Sequence, residues 1–171
     1  PLAVWDRVAQ ATRQRRQLGF HYRSPRQADP RPRYWVVSPI KVGFYSGHWY
    51  LYCWSEWWRG PEGENHEPAY RRLRLQYIVD DDRLEVLPTR VAVEHRHPPR
   101  YQVHYLLKPD VGRGDISRHF EGMHVELQPD GSALVTGTCN DAWEAARILL
   151  SYGENCIVLG GEEVRAEMRR R

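Results

Sequence analysis

The sequence predicts an α+β fold in two parts: a helix and a small β-barrel over residues 1–90, then a ferredoxin-like β-α-β-β-α-β unit over residues 91–171. Three observations lead to this prediction. Short apolar segments separated by turn residues follow one another closely up to residue 88, which is typical of a small barrel. The stretch TRVAVEHRHPPR then ends in a Pro-Pro pair and has the composition of a linker. Beyond it, strand-like and helix-like segments alternate in the order of the ferredoxin-like unit.

The first half contains one predicted helix and a series of predicted strands. The helix covers residues 2–17, where apolar positions repeat at helical spacing, namely Leu2, Trp5, Val8, Ala9 and Thr12. The strands are, in order, LGFHYR, YWVVSPIKV, FYSGHWYLYCWSE, AYRRLRLQYIV and DRLEVLP. Pro39 lies within the second strand and predicts an edge position or a bulge there. The acidic turn DDD at residues 80–82 separates the last two strands.

The second half is organised around the Asp-Gly turn of MHVELQPDGSALVTGTC, the strongest hairpin signal in the chain. A strand in YQVHYLLKP and a short helix in DISRHF precede this hairpin. A helix in NDAWEAARILLSYG follows it, with Asn140 as the N-cap and Gly153 as the C-terminal stop. A strand in NCIVLGG and a terminal helix in EEVRAEMRRR complete the second half.

The composition, with 41% hydrophobic and 27% charged residues, indicates a water-soluble globular protein. No apolar run is long enough to span a bilayer, and the N-terminal residues lack the apolar core of a signal peptide. The three cysteines are far apart and form no CxxC pair, so we expect reduced thiols and a cytoplasmic location. Because the chain does not begin with Met, we also expect that a segment precedes it in the natural protein.

Positive charge is concentrated in the first half. Residues 1–78 carry 13 basic and 6 acidic residues, whereas residues 79–171 carry 12 and 16. Arginine supplies all the basic residues except Lys41 and Lys108. Codon preference in a GC-rich genome explains the many arginines but not their uneven distribution. Since a guanidinium group binds phosphate with two parallel donors and stacks on rings, the basic half is a candidate anion-binding region.

Two strands of the predicted barrel carry the candidate site. In YRRLRLQYI, alternation places Leu73, Leu75 and Tyr77 on one face, and Arg72, Arg74 and Gln76 on the other. The two arginines are then about 7 Å apart, close to the spacing of neighbouring phosphates. In HWYLYCW, alternation separates Trp49, Leu51 and Cys53 from His48, Tyr50, Tyr52 and Trp54. The second face of each strand is either a solvated surface or one that holds nucleobases and phosphates.

Four motifs in order resemble the WYL domain. GHWYLYCW contains the triplet Trp49-Tyr50-Leu51, LGFHYRSP resembles the leading strand with its tyrosine, and VVSPIKV resembles the following strand. YRRLRLQYI resembles the family pattern Arg-x-Phe-Arg-Leu-Asp-Arg-Ile, although Leu73, Gln76 and Tyr77 depart from it. The ending ARILLSYGENCIVLGGEEVRAEM resembles the companion WCX extension, with Gly160-Gly161 where a proline is usual.

The resemblance implies an SH3-like (Sm-like) barrel that senses a ligand, either single-stranded nucleic acid or a nucleotide. Such domains follow an N-terminal helix-turn-helix domain in bacterial transcription regulators, act in DNA damage responses or phage defence, and form dimers. We therefore expect a homodimer and a DNA-binding domain that this chain lacks. The pocket carried over from the family consists of Tyr22, Tyr50, Arg71 and Arg74. Strand alternation adds His48 and Arg72 to it.

Other functions have less support in the sequence. A stand-alone single-stranded nucleic-acid-binding accessory protein of a defence system would use the same face. An enzyme is not expected, because no GxSxG, Walker or cysteine-centred motif occurs. Neither a cofactor nor a metal is expected. The pairs His95/His97 and His119/His124 have no further ligand at suitable spacing.

Overall fold

The first half of the chain forms a curled antiparallel sheet in the computed structural model, which describes residues 2–79 and 83–170. The predicted acidic turn at residues 80–82 lies outside the described residues. The elements of this half are α1 (Leu2–Gln14), β1 (Arg16–Tyr22), β2 (Arg33–Tyr45), β3 (His48–Gly60), β4 (Gly63–Asn65), β5 (Ala69–Arg74), β6 (Ile78–Val79) and β7 (Glu85–Arg90). The strand order is β4-β3-β2-β1-β6, with β5 also pairing with β3 and β7 with β1.

Two long strands, β2 and β3, give the sheet its curvature. Their pairing shifts register between Val36 and Val37 and again between Pro39 and Lys41. Such bulges bend a strand and increase its twist. The bulge predicted at Pro39 is therefore confirmed, and it allows a residue without an N–H group to lie in a strand that has neighbours on both sides.

Helix α1 packs against the sheet through Val4, Val8 and Ala11, which are 4% exposed or less. This stripe differs from the predicted one. Ala9 is exposed and Thr12 is half-buried, because the helix is rotated so that its i, i+4, i+7 positions face the sheet. The helix is also shorter than predicted, since it ends at Gln14 and Arg15 adopts a left-handed φ of 53°. The sheet supplies the rest of this core, chiefly Leu18, Phe20, Val37, Leu51, Cys53, Leu73 and Leu84.

The second half forms a four-stranded antiparallel sheet in the order β11-β8-β10-β9. Its elements are β8 (Tyr101–Leu107), α2 (Pro109–Gly112), β9 (Glu121–Leu127), β10 (Ala133–Cys139), α3 (Ala142–Ser151), β11 (Cys156–Gly160) and α4 (Glu162–Arg169). Residues of β8, β10, α3 and α4 share one core, which includes Val103, Tyr105, Leu107, Val135, Ala145, Leu149 and Val164. The described chain is thus a mixed α+β structure with two sheets.

Several local predictions in the second half need correction. DISRHF is not helical. The short helix is α2, which Pro109 starts at its first position. Asp141 rather than Asn140 caps α3, because its carboxylate accepts a hydrogen bond from the Glu144 N–H at 3.0 Å. The Asp-Gly hairpin and the stop at Gly153 are confirmed, with φ of 87° at Gly131 and 57° at Gly153.

The chain divides into two units, Pro1–Pro98 and Pro99–Arg171. This division comes after the predicted boundary between residues 90 and 91, because the linker-like stretch belongs to the first unit. In that stretch the Glu56 carboxylate binds His95 Nδ1 at 2.7 Å and also accepts a hydrogen bond from the buried Ser38 hydroxyl. The Trp54 indole stacks on the His95 imidazole, with 4.7 Å between the ring centroids. We call the group Ser38, Glu56 and His95 the linker clamp.

Candidate ligand-binding site

Arg74, the last residue of β5, is held by three tyrosines. Its Nε donates to the Tyr50 hydroxyl at 3.0 Å and its Nη1 lies 3.4 Å from the Tyr77 hydroxyl. Its backbone N–H donates to the Tyr22 hydroxyl at 3.1 Å. The guanidinium carbon also lies 5.7 Å and 5.8 Å from the ring centroids of Tyr50 and Tyr77. Both the backbone and the side chain of Arg74 are therefore fixed before any ligand arrives.

The charge of Arg74 is secure, and part of its hydrogen-bonding capacity is unused. The hydrogen bond with Tyr50 raises the pKa of the guanidinium further above its usual value. A guanidinium group has five N–H donors, and the tyrosines engage two of them. Among the residues that the structure describes, the other three have no acceptor and no carboxylate pairs with Arg74. Arg74 can therefore donate to an oxyanion without breaking an existing ion pair.

Tyr22 supports the site from inside the barrel and is not part of its surface. It is 5% exposed, and its ring packs edge-on against Trp35 at 5.9 Å and Tyr77 at 6.2 Å. Burial raises the pKa of its hydroxyl to about 12, against the opposing effect of the Arg74 backbone hydrogen bond. The neutral hydroxyl is thus maintained at physiological pH and fixes the end of β5.

The register of β3 and β5 extends the site along one face. Tyr50 lies opposite Arg74, Tyr52 opposite Arg72, and Trp54 opposite Tyr70. We call these residues the arginine–aromatic ladder, namely Tyr50, Tyr52 and Trp54 of β3 with Tyr70, Arg72 and Arg74 of β5. All of them are half-buried, whereas the alternate residues of β3, namely Leu51, Cys53 and Ser55, are buried. The alternation predicted for both strands is confirmed over these positions.

Arg72 and Lys41 add positive charge to the ladder. The Arg72 guanidinium carbon lies 5.4 Å from the Tyr45 ring centroid and 5.9 Å from that of Tyr50. Lys41, which faces Tyr52 across β2 and β3, has its ammonium 5.1 Å from that ring. Cations held over ring faces in this way are positioned by cation–π attraction. Neither Lys41 nor Tyr45 was among the predicted site residues, because only the pairing of β2 with β3 brings them to the ladder.

The other two predicted residues have different positions. His48 borders the ladder, since its ring meets Tyr50 edge-on at 6.5 Å and its Nδ1 lies 3.1 Å from Gln76 Oε1. Arg71 is exposed and faces away, because it lies opposite Cys53 on the other face of β5. The structure therefore brings Tyr22, His48, Tyr50, Arg72 and Arg74 together and leaves Arg71 apart.

A short turn after β5 explains why Tyr77 lies at the site and not in the core, where strand alternation placed it. A continuous strand would put Tyr77 in the core and Gln76 beside the arginines. Instead, β5 ends at Arg74, and Leu75–Tyr77 form one turn of 3-10 helix before β6 pairs with β1. This turn brings the Tyr77 hydroxyl next to Arg74. The presence of a tyrosine close to the arginines was a signal in the sequence, but the position of Tyr77 depends on where β5 ends.

No group of three or more histidine, cysteine, aspartate or glutamate side chains in residues 2–79 and 83–170 is arranged to hold a metal ion. His95, one of the two histidines of the closely spaced pair His95/His97, belongs to the linker clamp. Among the described residues, none of the helices has the length and apolar character needed to cross a bilayer.

Comparison with protein-family models identifies the class of the protein. Residues 3–80 match the WYL domain and residues 99–171 match the WCX domain. The chain is therefore a WYL domain followed by a WCX domain, as the sequence motifs predicted. This combination of domains fits a regulatory region that senses a ligand. A search of the curated proteins found no match.

Two solved structures are similar to the chain at low identity. Proteasome accessory factor B/C (PafBC) of Arthrobacter aurescens is 19% identical with a TM-score of 0.37, over 97% of this chain and 25% of that one. A structure described as a CRISPR Cas-related protein is 11% identical with a TM-score of 0.38, over 98% of this chain and 49% of that one. The chain thus spans less than half the length of either protein.

Proposed function

We propose that this chain is the sensing region of a transcription regulator and binds single-stranded nucleic acid or a nucleotide on the arginine–aromatic ladder. The observation that carries the proposal is Arg74, whose guanidinium is held by Tyr50 and Tyr77 with three donors left for an oxyanion. A phosphate group is the oxyanion that suits it, because Arg72 lies two residues along the same face. The ladder rings then offer the bases those parts of their faces that Arg72, Arg74, Lys41 and His95 do not cover.

The energies of these contacts set how many of them a bound ligand needs. A charge-assisted hydrogen bond contributes about 1.5–3 kcal/mol, and base–aromatic stacking contributes about 1–3 kcal/mol per base. Because Arg74 is fixed by tyrosines before binding, little side-chain entropy is lost when the ligand arrives. Two phosphates and two bases would contribute about 5–12 kcal/mol before the costs of association, and micromolar binding corresponds to about 8 kcal/mol, so the ligand must make at least that many contacts.

The regulatory context completes the proposal. The ligand shifts a homodimer between two states and so controls a DNA-binding domain that lies outside this chain, in a response to DNA damage or to phage. The protein acts in the cytoplasm, which agrees with three free cysteines. It has no catalytic activity of its own.

Two fold names belong to the same proposal. The first unit is an SH3-like barrel. This is supported by its curled sheet, in which β5 pairs with β3 and, after one turn of 3-10 helix, β6 pairs with β1. The second unit is ferredoxin-like. Its strands, counted from β8, lie in the order 4-1-3-2, and each neighbouring pair is antiparallel.

Arg74→Ala tests the proposed function. We expect it to weaken binding of a fluorescent single-stranded oligonucleotide at least tenfold, measured by anisotropy, with little change in melting temperature. Arg59→Ala is the matched control. It removes one positive charge from the far end of β3, where the side chain is 68% exposed, and should change binding less than twofold.

A salt series separates phosphate contacts from other attraction. Each contact with a single strand contributes about −0.7 to the log–log slope, so Arg74→Ala should reduce its magnitude by about that amount. Arg71→Ala distinguishes between the site predicted from the family pattern and the site indicated by strand geometry. The family pattern predicts a loss like that of Arg74→Ala, whereas its place on the opposite face predicts a small one. Equal binding by Arg74→Ala and the unmodified chain, with a slope near zero, would contradict the proposal.

A further inference from the structure

A cleft of about 310 Å³ lies beside the end of the arginine–aromatic ladder. Its walls come from the start of α1, from the start of β3 and from the 3-10 turn that follows β5. The side chains that matter are Trp5, His48, Trp49, Leu75 and Gln76. The volume is at the lower end of the range for small-molecule sites, which suits one planar ring system and excludes a large ligand.

Two tryptophans make one side of the cleft aromatic. Trp5 and Trp49 meet at 4.6 Å between ring centroids with an interplanar angle of 87°. Trp49 is 46% exposed, although alternation along β3 places it on the buried side. An indole with this much exposed surface in a concave site provides a flat face for stacking.

A polar pair forms part of the cleft lining. His48 Nδ1 and Gln76 Oε1 are 3.1 Å apart. When Nδ1 carries the proton, His48 Nε2 is an acceptor, and the Gln76 amide nitrogen supplies donors. The cleft thus combines an aromatic surface with a neighbouring donor and acceptor, the combination that matches the face and the edge of a nucleobase.

His48 also connects the cleft to the cationic face. Its ring lines the cleft and meets Tyr50 edge-on at 6.5 Å, and the Tyr50 hydroxyl accepts a hydrogen bond from Arg74 at 3.0 Å. The separation between the cleft and the guanidinium is therefore about one side chain. A strand with a phosphate on Arg74 could place a neighbouring base in the cleft.

We propose that this cleft holds one nucleobase of the bound strand, flipped out and stacked on Trp49, with its edge read by His48 and Gln76. This inference rests on the proposed function, because Arg72 and Arg74 supply the charge that selects a phosphate-bearing ligand. It adds a base-binding subsite to the phosphate contacts. The cationic ladder beside an uncharged aromatic cleft is the charge arrangement that a nucleotide unit requires.

Two probes of equal length and charge distinguish the subsite from the ladder. One is a fluorescent single-stranded oligonucleotide, and the other is its fully abasic counterpart. We expect the unmodified chain to bind the intact probe at least thirtyfold more tightly, because the abasic probe loses the base in the cleft as well as base stacking on the ladder rings. Trp49→Leu should reduce this ratio about tenfold, the energy of stacking one base, and leave the affinity for the abasic probe unchanged. Arg74→Ala should weaken binding of both probes.

The outcomes separate the two proposals. If Trp49→Leu preserves the ratio between the probes, the cleft does not hold a base, while the phosphate-binding face stands. If the unmodified chain binds neither probe, single-strand binding by the ladder is wrong and the base subsite of a bound strand fails with it. Gln76→Ala, which removes no core packing, is the second variant and should reduce the ratio at least threefold. It decides the question if Trp49→Leu does not fold.

Discussion

Tyr22→Phe tests whether a buried neutral phenol fixes the arginine of the site. The substitution removes only the hydroxyl and keeps the ring packed against Trp35 and Tyr77. It leaves the Arg74 backbone N–H without its acceptor at the end of β5. Loss of one partner of a buried hydrogen bond costs about 1–3 kcal/mol, so we expect the free energy of unfolding at pH 7 to fall by that amount.

The pH dependence of this difference has a definite sign. The pKa of Tyr22 is raised from 10 to about 12, mainly by burial. In the unfolded chain the phenol ionises near pH 10, whereas in the folded chain it remains neutral. The stabilisation from the raised pKa is therefore complete below pH 10 and is lost as the pH rises towards 12. At pH 11 the loss is about 1.4 kcal/mol, the value of one pKa unit.

Urea unfolding at pH 8, 9, 10 and 11 measures this effect on both chains. The phenylalanine variant lacks the titrating group, so the stability difference between the two chains should shrink by about 1.4 kcal/mol between pH 9 and pH 11. An unchanged m-value would indicate that the unfolded states remain comparable. A difference that is constant over this range would refute the burial of a neutral hydroxyl beside Arg74.

Two further predictions concern stability. Glu56→Ala should lower the free energy of unfolding by about 2 kcal/mol in a urea titration, because the buried Ser38 hydroxyl and His95 lose their shared acceptor. A change below about 0.5 kcal/mol would contradict the linker clamp. Gly161→Ala should cost about 3 kcal/mol or more, since φ is 89° and a Cβ would overlap a backbone carbonyl of β8. The matched control Gly153→Ala, with φ of 57° and open space around the Cβ position, should cost about 1 kcal/mol.

Local patterns predicted the ladder well. Alternation in β3 separated Leu51 and Cys53 from Tyr50 and Tyr52, and the structure buries the first pair and keeps the second at the surface. Side chains in a strand point to opposite faces by geometry, so polarity along a few residues is enough to assign the faces. The same reasoning added Arg72 and His48 to the candidate site, and both lie beside Tyr50.

The patterns failed where distant pairing sets the ends of elements. The alternation of polar and apolar residues continues from Arg74 to Tyr77, but the neighbouring strand changes from β3 to β1 between Arg74 and Ile78. The turn that results brings Tyr77 to Arg74. Arg71 shows where family resemblance and strand geometry disagree. Its place in a family pattern predicted a site residue, and strand geometry turns it to the other face.

The sequence by itself determined the two-domain class, the faces of the main strands and the concentration of arginine in the first half, because these depend on residue type and short-range spacing. Only the tertiary structure decided that three tyrosines from different segments meet at Arg74, that residues 93–95 join the first unit, and that a cleft opens beside His48. These features depend on contacts between residues far apart in the chain, and local polarity carries no information about such pairings.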